Sequence, residues 1–260
     1  MPDSKWDPAQ YDRFRKERQQ PFHDLLALVR VTPGMRVVDL GCGTGALTRE
    51  LHRQLEARET VGFEQSETML AGSQEHLTAG LSFRQERIED FDAFGSFDLV
   101  FSNAALQWVD GHAELFARLW RALRPGGQLA VQMPANYDHP SHTIAGDLGQ
   151  EEPYRTALRG YLRRSPVFPP ERYAEILDRL GAVEQHVRLQ VYAHHLDGPE
   201  DVVEWTKGTL LVAYRERLSE ELFGDFLNAY RQRVLAALPQ ERPCFYPFKR
   251  ILLWARRGEA

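Results

Sequence analysis

Apolar positions in the first half of the chain fall into short runs separated by stretches of helical spacing. Met35-Arg-Val-Val-Asp-Leu40 reads as a buried strand, and 59–64, 81–85, 97–102 and 128–133 repeat that pattern. Leu47, Leu51 and Leu55 predict a helix after the first run. Ser66 is placed to cap a second helix with Thr68 and Met69 in its first turn, and 113–123 predicts a third, closed by Arg124-Pro-Gly-Gly127. Ahead of the first strand, Tyr11, Phe14, Leu25, Leu26 and Val29 recur at three- and four-residue intervals, predicting helix over 7–30 with a bend or restart at Pro21 and a turn at Thr32-Pro33-Gly34. Alternating β and α units with apolar strands predict an α/β fold, a Rossmann-like, doubly wound, mostly parallel seven-stranded sheet with ligands beyond the carboxyl ends of its strands.

The rhythm breaks after Pro134. Residues 137–170 hold no good strand, 171–180 read as helix, 183–194 as a return to the sheet, 199–238 as helical and 251–255 as a last strand. The simplest organisation is a single domain over 1–260. Its core covers roughly 25–135, 171–196 and 243–257, and cap segments at about 1–24, 137–170 and 199–241 fold over the ligand edge.

Composition narrows the partners. With 260 residues and 43% of them apolar, the chain can bury one substantial core. Its 32 Lys and Arg against 37 Asp and Glu give a net charge of -5 with signs mixed along the chain, so a nucleic-acid partner is not expected. Cys42 and Cys244 are too few for a disulfide framework and fit a reducing cytoplasm. No apolar run approaches a membrane span. A monomer is expected, with a weak homodimer as the alternative.

The chemistry concentrates at Val38-Asp-Leu-Gly-Cys-Gly-Thr-Gly45. Glycines at 41, 43 and 45 allow a tight strand-to-helix turn and close approach of a ligand to backbone amides. The spacing is neither G-x-G-x-x-G nor a mononucleotide phosphate loop, although a dinucleotide site or a plain glycine turn shares the context. Asp39 either orients the loop, accepts from a cationic ligand group or caps local amides. Glu64, about 20 residues on, can accept both hydroxyl hydrogens of a ribose; its alternative is simple exposure.

These residues resemble the class I S-adenosylmethionine-dependent methyltransferases. The resemblance implies S-adenosylmethionine as cofactor, S-adenosylhomocysteine as product and no metal. It places Asp39, Gly41, Cys42, Gly43 and Gly45 at the methionine end, Glu64 at the ribose, Ile88 at the adenine, and Gln65 and Asn103 among the cofactor contacts. One departure is Arg87, in a slot where Asp is common. Arginine has no acceptor for an adenine amino group, so Glu86, Glu89, backbone or water must serve instead.

The segment 97–108 delivers Asn103, Gln107 and Trp108 at a strand's carboxyl end, where amides and an indole can line a cleft. Asn103 bonding its own backbone and Trp108 filling the core are the alternatives. Tyr11, Phe14 and Arg18 share one helix face, and Arg18 and Arg250 each suit bidentate carboxylate binding or a surface salt bridge. His194 and His195 point to opposite faces of a strand and belong to no metal motif, leaving structural or acceptor-lining roles.

A narrower resemblance is to the trans-aconitate 2-methyltransferases of that family. It is carried by Trp6, Tyr11, Phe14 and Arg18, by Asn103-Ala-Ala-Leu-Gln-Trp108, by Val191-Tyr-Ala-His-His195, by Glu204-Trp-Thr-Lys-Gly-Thr209 and by Phe248-Lys-Arg250. It implies transfer of a methyl group to a carboxylate oxygen of a small polycarboxylic acid such as trans-aconitate. Trp6, Tyr11, Phe14, Arg18, Asn103, Gln107, Trp108, His195 and Arg250 would be the substrate-binding residues. The sequence departs from this pattern with Glu64 in place of Asp and His195-Leu196 in place of His-Pro. A carboxylate near pKa 4 is already ionised at neutral pH, so neither a protein nucleophile nor a general base is needed. The competing readings are a methyltransferase for another small O- or N-acceptor, a non-catalytic cofactor-binding protein and an NAD-linked oxidoreductase.

Overall fold

The computed structural model describes residues 15–162 and 165–259, without the side chains of 15–18. The chain divides into two compact units, one comprising Gln19–Ala135, Pro166–Gln190 and Arg250–Ala260, the other including Asn136–Ser165 and Val191–Lys249. The elements run α1 (Arg15–Leu26), β1 (Arg36–Leu40), α2 (Ala46–Gln54), β2 (Glu59–Glu64), α3 (Glu67–Ser73), β3 (Leu81–Gln85), β4 (Phe97–Asn103), α4 (His112–Ala122), β5 (Leu123–Pro134), α5 (Pro140–Gly149), α6 (Tyr154–Ala157), α7 (Pro170–Arg179), β6 (Ala182–Leu196), α8 (Glu200–Lys207), α9 (Val212–Arg215), α10 (Glu220–Ala237) and β7 (Cys244–Arg257).

The expected seven-stranded sheet is present, in the order β3-β2-β1-β4-β5-β7-β6. β1 to β5 pair parallel, and β7 is antiparallel to β5. The order reverses between β1 and β4, so the chain leaves their carboxyl ends in opposite directions and opens a crevice there.

Strand register sorts the side chains onto two faces. Val38, Leu40, Val61, Phe63, Val100, Leu129, Val131, Met133 and Leu253 fill one, covered by Leu115, Phe116 and Leu119 of α4 and Tyr173 and Leu177 of α7. The other carries Asp39, Gly62 and Phe101, which are register partners, and Phe22 of α1 packs edge-on against Phe101 at 5.6 Å. Both faces being covered explains why the parallel strands read as near-continuous apolar runs.

Several boundaries differ from the sequence reading. Helix α1 runs through Pro21 as one element and stops at Leu26. Helix α4 ends at Ala122, and the chain enters β5 at once. Phe97 faces Leu123 while Leu99 faces Gln128, so 124–127 bulge out of the ladder, and Gly126 lies at φ +75. The Arg-Pro-Gly-Gly turn signal therefore marks a bulge inside a strand, where proline's missing donor is tolerated. Strand β7 starts at Cys244, earlier than its apolar run, because its first half alternates buried Cys244, Tyr246 and Phe248 with polar or exposed neighbours.

The second unit has its own core of Tyr154, Trp205, Tyr214, Phe226 and Tyr230. Tyr214 stacks on Phe226 at 4.9 Å, and the buried Tyr230 hydroxyl donates to the Ser141 carbonyl at 2.8 Å. Its helices occupy 140–149, 154–157, 200–207, 212–215 and 220–237, which accounts for the break in βα rhythm.

Candidate functional site

The glycine loop links β1 to α2. Gly41 and Cys42 both donate their amides to the Phe63 carbonyl, at 2.8 and 2.9 Å, folding the loop back over the end of β2. Gly41 and Gly45 each have φ +80, in the left-handed region. A Cβ on Gly41 would sit 2.2 Å from the Ala105 Cβ, and one on Gly45 would sit 2.7 Å from the Phe83 ring. The loop can take only glycine at these places, because neighbouring side chains already fill the space a Cβ would need.

Asp39, at the end of β1, is buried, and its Oδ2 accepts from the Thr48 hydroxyl of α2 at 2.6 Å. Burial pushes its carboxyl up to about 7, the Thr48 bond opposes that rise, and the negative charge of Glu64 adds to it. Glu64 ends β2 with both oxygens engaged: Oε2 accepts from the Gly43 amide at 3.0 Å and Oε1 from the Ser66 amide at 2.9 Å. The Ser66 hydroxyl in turn accepts from the Met69 amide, capping α3 as the sequence predicts. Each carboxylate oxygen has a second acceptor site, so this bracing leaves Glu64 able to receive hydroxyl hydrogens.

Ile88 opens a short 3-10 turn, Ile88–Asp90, with its Cδ1 3.7 Å from the position a Gly41 Cβ would take. The structure thus brings this apolar side chain to the loop. Arg87 is exposed and paired with Glu89 at 3.1 Å, which makes Glu89 a partner of the arginine. Gln65 is exposed, and its carbonyl accepts from the Gln85 amide at 3.3 Å. Cys42 is buried with its side chain in the space beside Gly62, and its amide and carbonyl are both used within the fold.

Asn103 ends β4 beyond Phe101, which pairs with Asp39 in register, and its Oδ1 is shielded from solvent without a hydrogen-bond partner among the described residues. Gln107 and Trp108 belong to the 3-10 turn Leu106–Trp108. Gln107 is buried, its Nε2 donating to the Ala104 carbonyl at 2.6 Å while its Oε1 lacks a partner. Trp108 is 47% exposed, which rules out the core-plug alternative. Arg250 is buried on β7, opposite Pro134 of β5.

In the second unit, the neighbouring histidines separate as strand alternation requires. His194 is buried among Tyr192, Trp205 and Phe248, and His195 is exposed, its ring 5.4 Å from that of Phe245. Trp6, Tyr11 and Phe14 lie outside the described residues, as does the side chain of Arg18.

A polar network missed by sequence reasoning fixes the 106–108 turn. His112 is buried, and burial lowers its pKa, which keeps the ring neutral. Its Nε2 reaches the Leu106 carbonyl at 3.0 Å and must donate there, so Nδ1 accepts from the Tyr173 hydroxyl, which itself accepts from the Phe168 amide at 3.1 Å. His112 and Tyr173 are 61 positions apart, and no local pattern announces their pairing.

Asp39, Gly41, Gly43, Gly45, Glu64, Ile88 and Asn103 therefore gather at the carboxyl edge of the sheet, beside the β1/β4 crevice. A glycine loop, a braced carboxylate, an apolar wall and an orphaned amide oxygen fit a ligand with amino, hydroxyl and aromatic parts. They fit a pyrophosphate poorly, because the Glu64 carboxylate already occupies the Gly43 amide, a donor that a phosphate oxygen would need.

A family model described as "Methyltransferase domain" matches residues 38–131. The chain is 44% identical over 260 residues to a trans-aconitate 2-methyltransferase of Deinococcus radiodurans, covering 98% of this chain and 99% of that one. The fold resembles the YcgJ protein of Bacillus subtilis (TM-score 0.60, 15% identity, 93% of this chain and 100% of that one). It also resembles a Haemonchus contortus phosphoethanolamine N-methyltransferase solved with S-adenosyl-L-methionine (TM-score 0.54, 19% identity, 97% of this chain and 59% of that one).

Proposed function

Because the chain belongs to the trans-aconitate 2-methyltransferase family, we propose that it uses S-adenosylmethionine to methylate a carboxylate oxygen of trans-aconitate or a closely related polycarboxylic acid. The products are the methyl ester and S-adenosylhomocysteine. The observation that carries the reading is identity to that family along nearly the full length of both chains, outer segments included, and not over the glycine loop alone.

The site residues fit the cofactor. Gly41, Gly43 and Gly45 would let its methionine end approach the loop backbone, Asp39 would face its ammonium, Glu64 would receive the ribose hydroxyls and Ile88 would pack on the adenine. When bound, the cofactor supplies a methyl group on a positively charged sulfur. The chain's own task is to align an already ionised carboxylate and to replace water with fixed dipoles. Arg250 suits a carboxylate that does not react, since a guanidinium grips its partner too strongly to leave an attacking oxygen free. The two-cysteine composition supports a cytoplasmic setting.

A labelled-methyl transfer assay over mono-, di- and tricarboxylates and a set of amines tests the reading. Label is expected in an alkali-labile ester of a polycarboxylate. Transfer to amines alone would overturn it.

A further inference from the structure

Strand β5 carries two glutamines on the same face, and their surroundings differ in a telling way. Both polar atoms of Gln128 are partnered: its Oε1 accepts from the Arg30 amide and the Trp254 indole, both at 2.8 Å, and its Nε2 donates to the Arg30 carbonyl at 2.7 Å. Gln132, four residues nearer the carboxyl edge, is fully buried at 0% exposure, and neither its Oε1 nor its Nε2 has a hydrogen-bond partner among the described residues. Buried amides in folded proteins are nearly always satisfied, and an exception at a ligand edge points to a group that arrives later.

Register places this amide. Gln132 faces Asn103 across β4 and β5, and Pro134, two residues on, faces Arg250 across β5 and β7. Partners in register project to the same side of a sheet, so Asn103, Gln132 and Arg250 form one row at the carboxyl edge. Through Phe101, which pairs with both Asp39 and Ala130, it is also the side that carries Asp39. The Asn103 Oδ1 is likewise buried and unpartnered, so two neighbouring amides have unmet bonds.

We propose that Gln132 binds the acceptor acid and helps determine its specificity, its Nε2 donating to the carboxylate that is methylated; this rests on the functional reading above. A neutral amide is suited to that carboxylate. It fixes one oxygen in place without the charge of a guanidinium, so the other oxygen keeps the electron density it needs to attack. The positive Arg250 at the end of the row then holds a carboxylate that does not react.

The test compares the parent with Gln132→Met, which keeps the length and removes the polar atoms, and Gln132→Glu, which keeps the shape and exchanges a donor for a negative charge. Steady-state kinetics on trans-aconitate, calorimetric S-adenosylmethionine binding and thermal unfolding are read together. Gln132→Met should raise KM for the acid or lower kcat/KM by roughly tenfold to a hundredfold, the loss of one hydrogen bond to a charged group. Its cofactor Kd and Tm should stay near parental values. Gln132→Glu should be worse at pH 8 and partly recover as pH falls and the new carboxyl takes a proton and donates again. If Gln132→Met fails to fold, Gln132→Asn, which withdraws the amide by one methylene, makes the same comparison. Parental kinetics in a folded variant would overturn the inference and leave the functional reading standing. A loss confined to cofactor affinity would overturn it too. A parent that binds the cofactor but methylates no acid would overturn both.

Discussion

Glu64 Oε2 accepts the Gly43 amide hydrogen at 3.0 Å, so the carboxylate that ends β2 also holds the middle of the glycine loop. With its Oε1 on the Ser66 amide, one side chain ties loop, strand and the start of α3 together. Glu64→Ala should weaken S-adenosylmethionine binding by about 1 to 3 kcal/mol, since a charged acceptor is lost and the Gly43 amide loses its bond. Glu64→Gln should fall between, with one acceptor oxygen left. Equal calorimetric Kd for all three proteins would remove Glu64 from the ribose contact.

Asp39 predicts a pH dependence of opposite sign to that of an ordinary salt-bridged carboxylate. Its folded pKa of about 7 lies above the value near 4 expected when unfolded, so the native state holds a proton that the unfolded state has released. Stability from this group is full below about pH 4, declines as pH rises toward about 7 and is level above. Asp39→Asn should lack that decline, read as the difference in Tm between variant and parent across the window. Cofactor binding adds a second signature. An ammonium beside Asp39 favours the ionised form, so parental affinity should rise with pH through neutrality and binding should release protons, whereas the asparagine variant should show neither. Identical pH profiles would count against the assignment.

Gly62 tests the packing behind the loop. A Cβ there would meet the Phe83 ring at 2.7 Å and the Cys42 Cβ and Sγ at 2.9 Å. Gly62→Ala overfills a buried contact, and a loss of about 1 to 3 kcal/mol in chemical denaturation is expected, together with weaker cofactor binding because Cys42 belongs to the loop. Unchanged stability would mean the strand shifts to accommodate the methyl.

Tyr173→Phe removes the hydroxyl that His112 and the Phe168 amide share. One buried and one partly buried group lose a partner, so the expected cost is about 1 to 3 kcal/mol of stability. His112 also holds the Leu106 carbonyl, so the 106–108 turn should loosen and kcat/KM for the acid should fall while cofactor Kd holds. A variant that is less stable but has parental kinetics would make the network purely structural.

Much of this arrangement is legible in the sequence. The parallel strands, the loop, the Ser66 cap and Glu64 are readable because each is set by local chemistry: apolar runs buried on two faces, glycines forced by close approach, a hydroxyl three residues before the amide it caps. What escaped depends on register. Gln132 stands in Leu-Ala-Val-Gln-Met as the one polar residue of an apolar run, and only its pairing with Asn103 shows that it stands at the ligand edge. The entry to β5 and the early start of β7 were hidden for a related reason. Their hydrogen bonds go to strands distant in sequence, and proline, glycine and alternating polar residues there suggest turns.

Cys42 lies within the glycine loop, yet it is withdrawn from chemistry. Its thiol is packed in the space beside Gly62, and burial, with Asp39 and Glu64 nearby, pushes its pKa well above the ordinary range for a thiol. The thiolate that oxidants and alkylating agents require is scarcely formed while this packing holds. The residue is therefore a concealed clock: a thiol reagent can consume it only when the packing around Gly62 is disturbed, and any ligand that steadies that packing slows the clock.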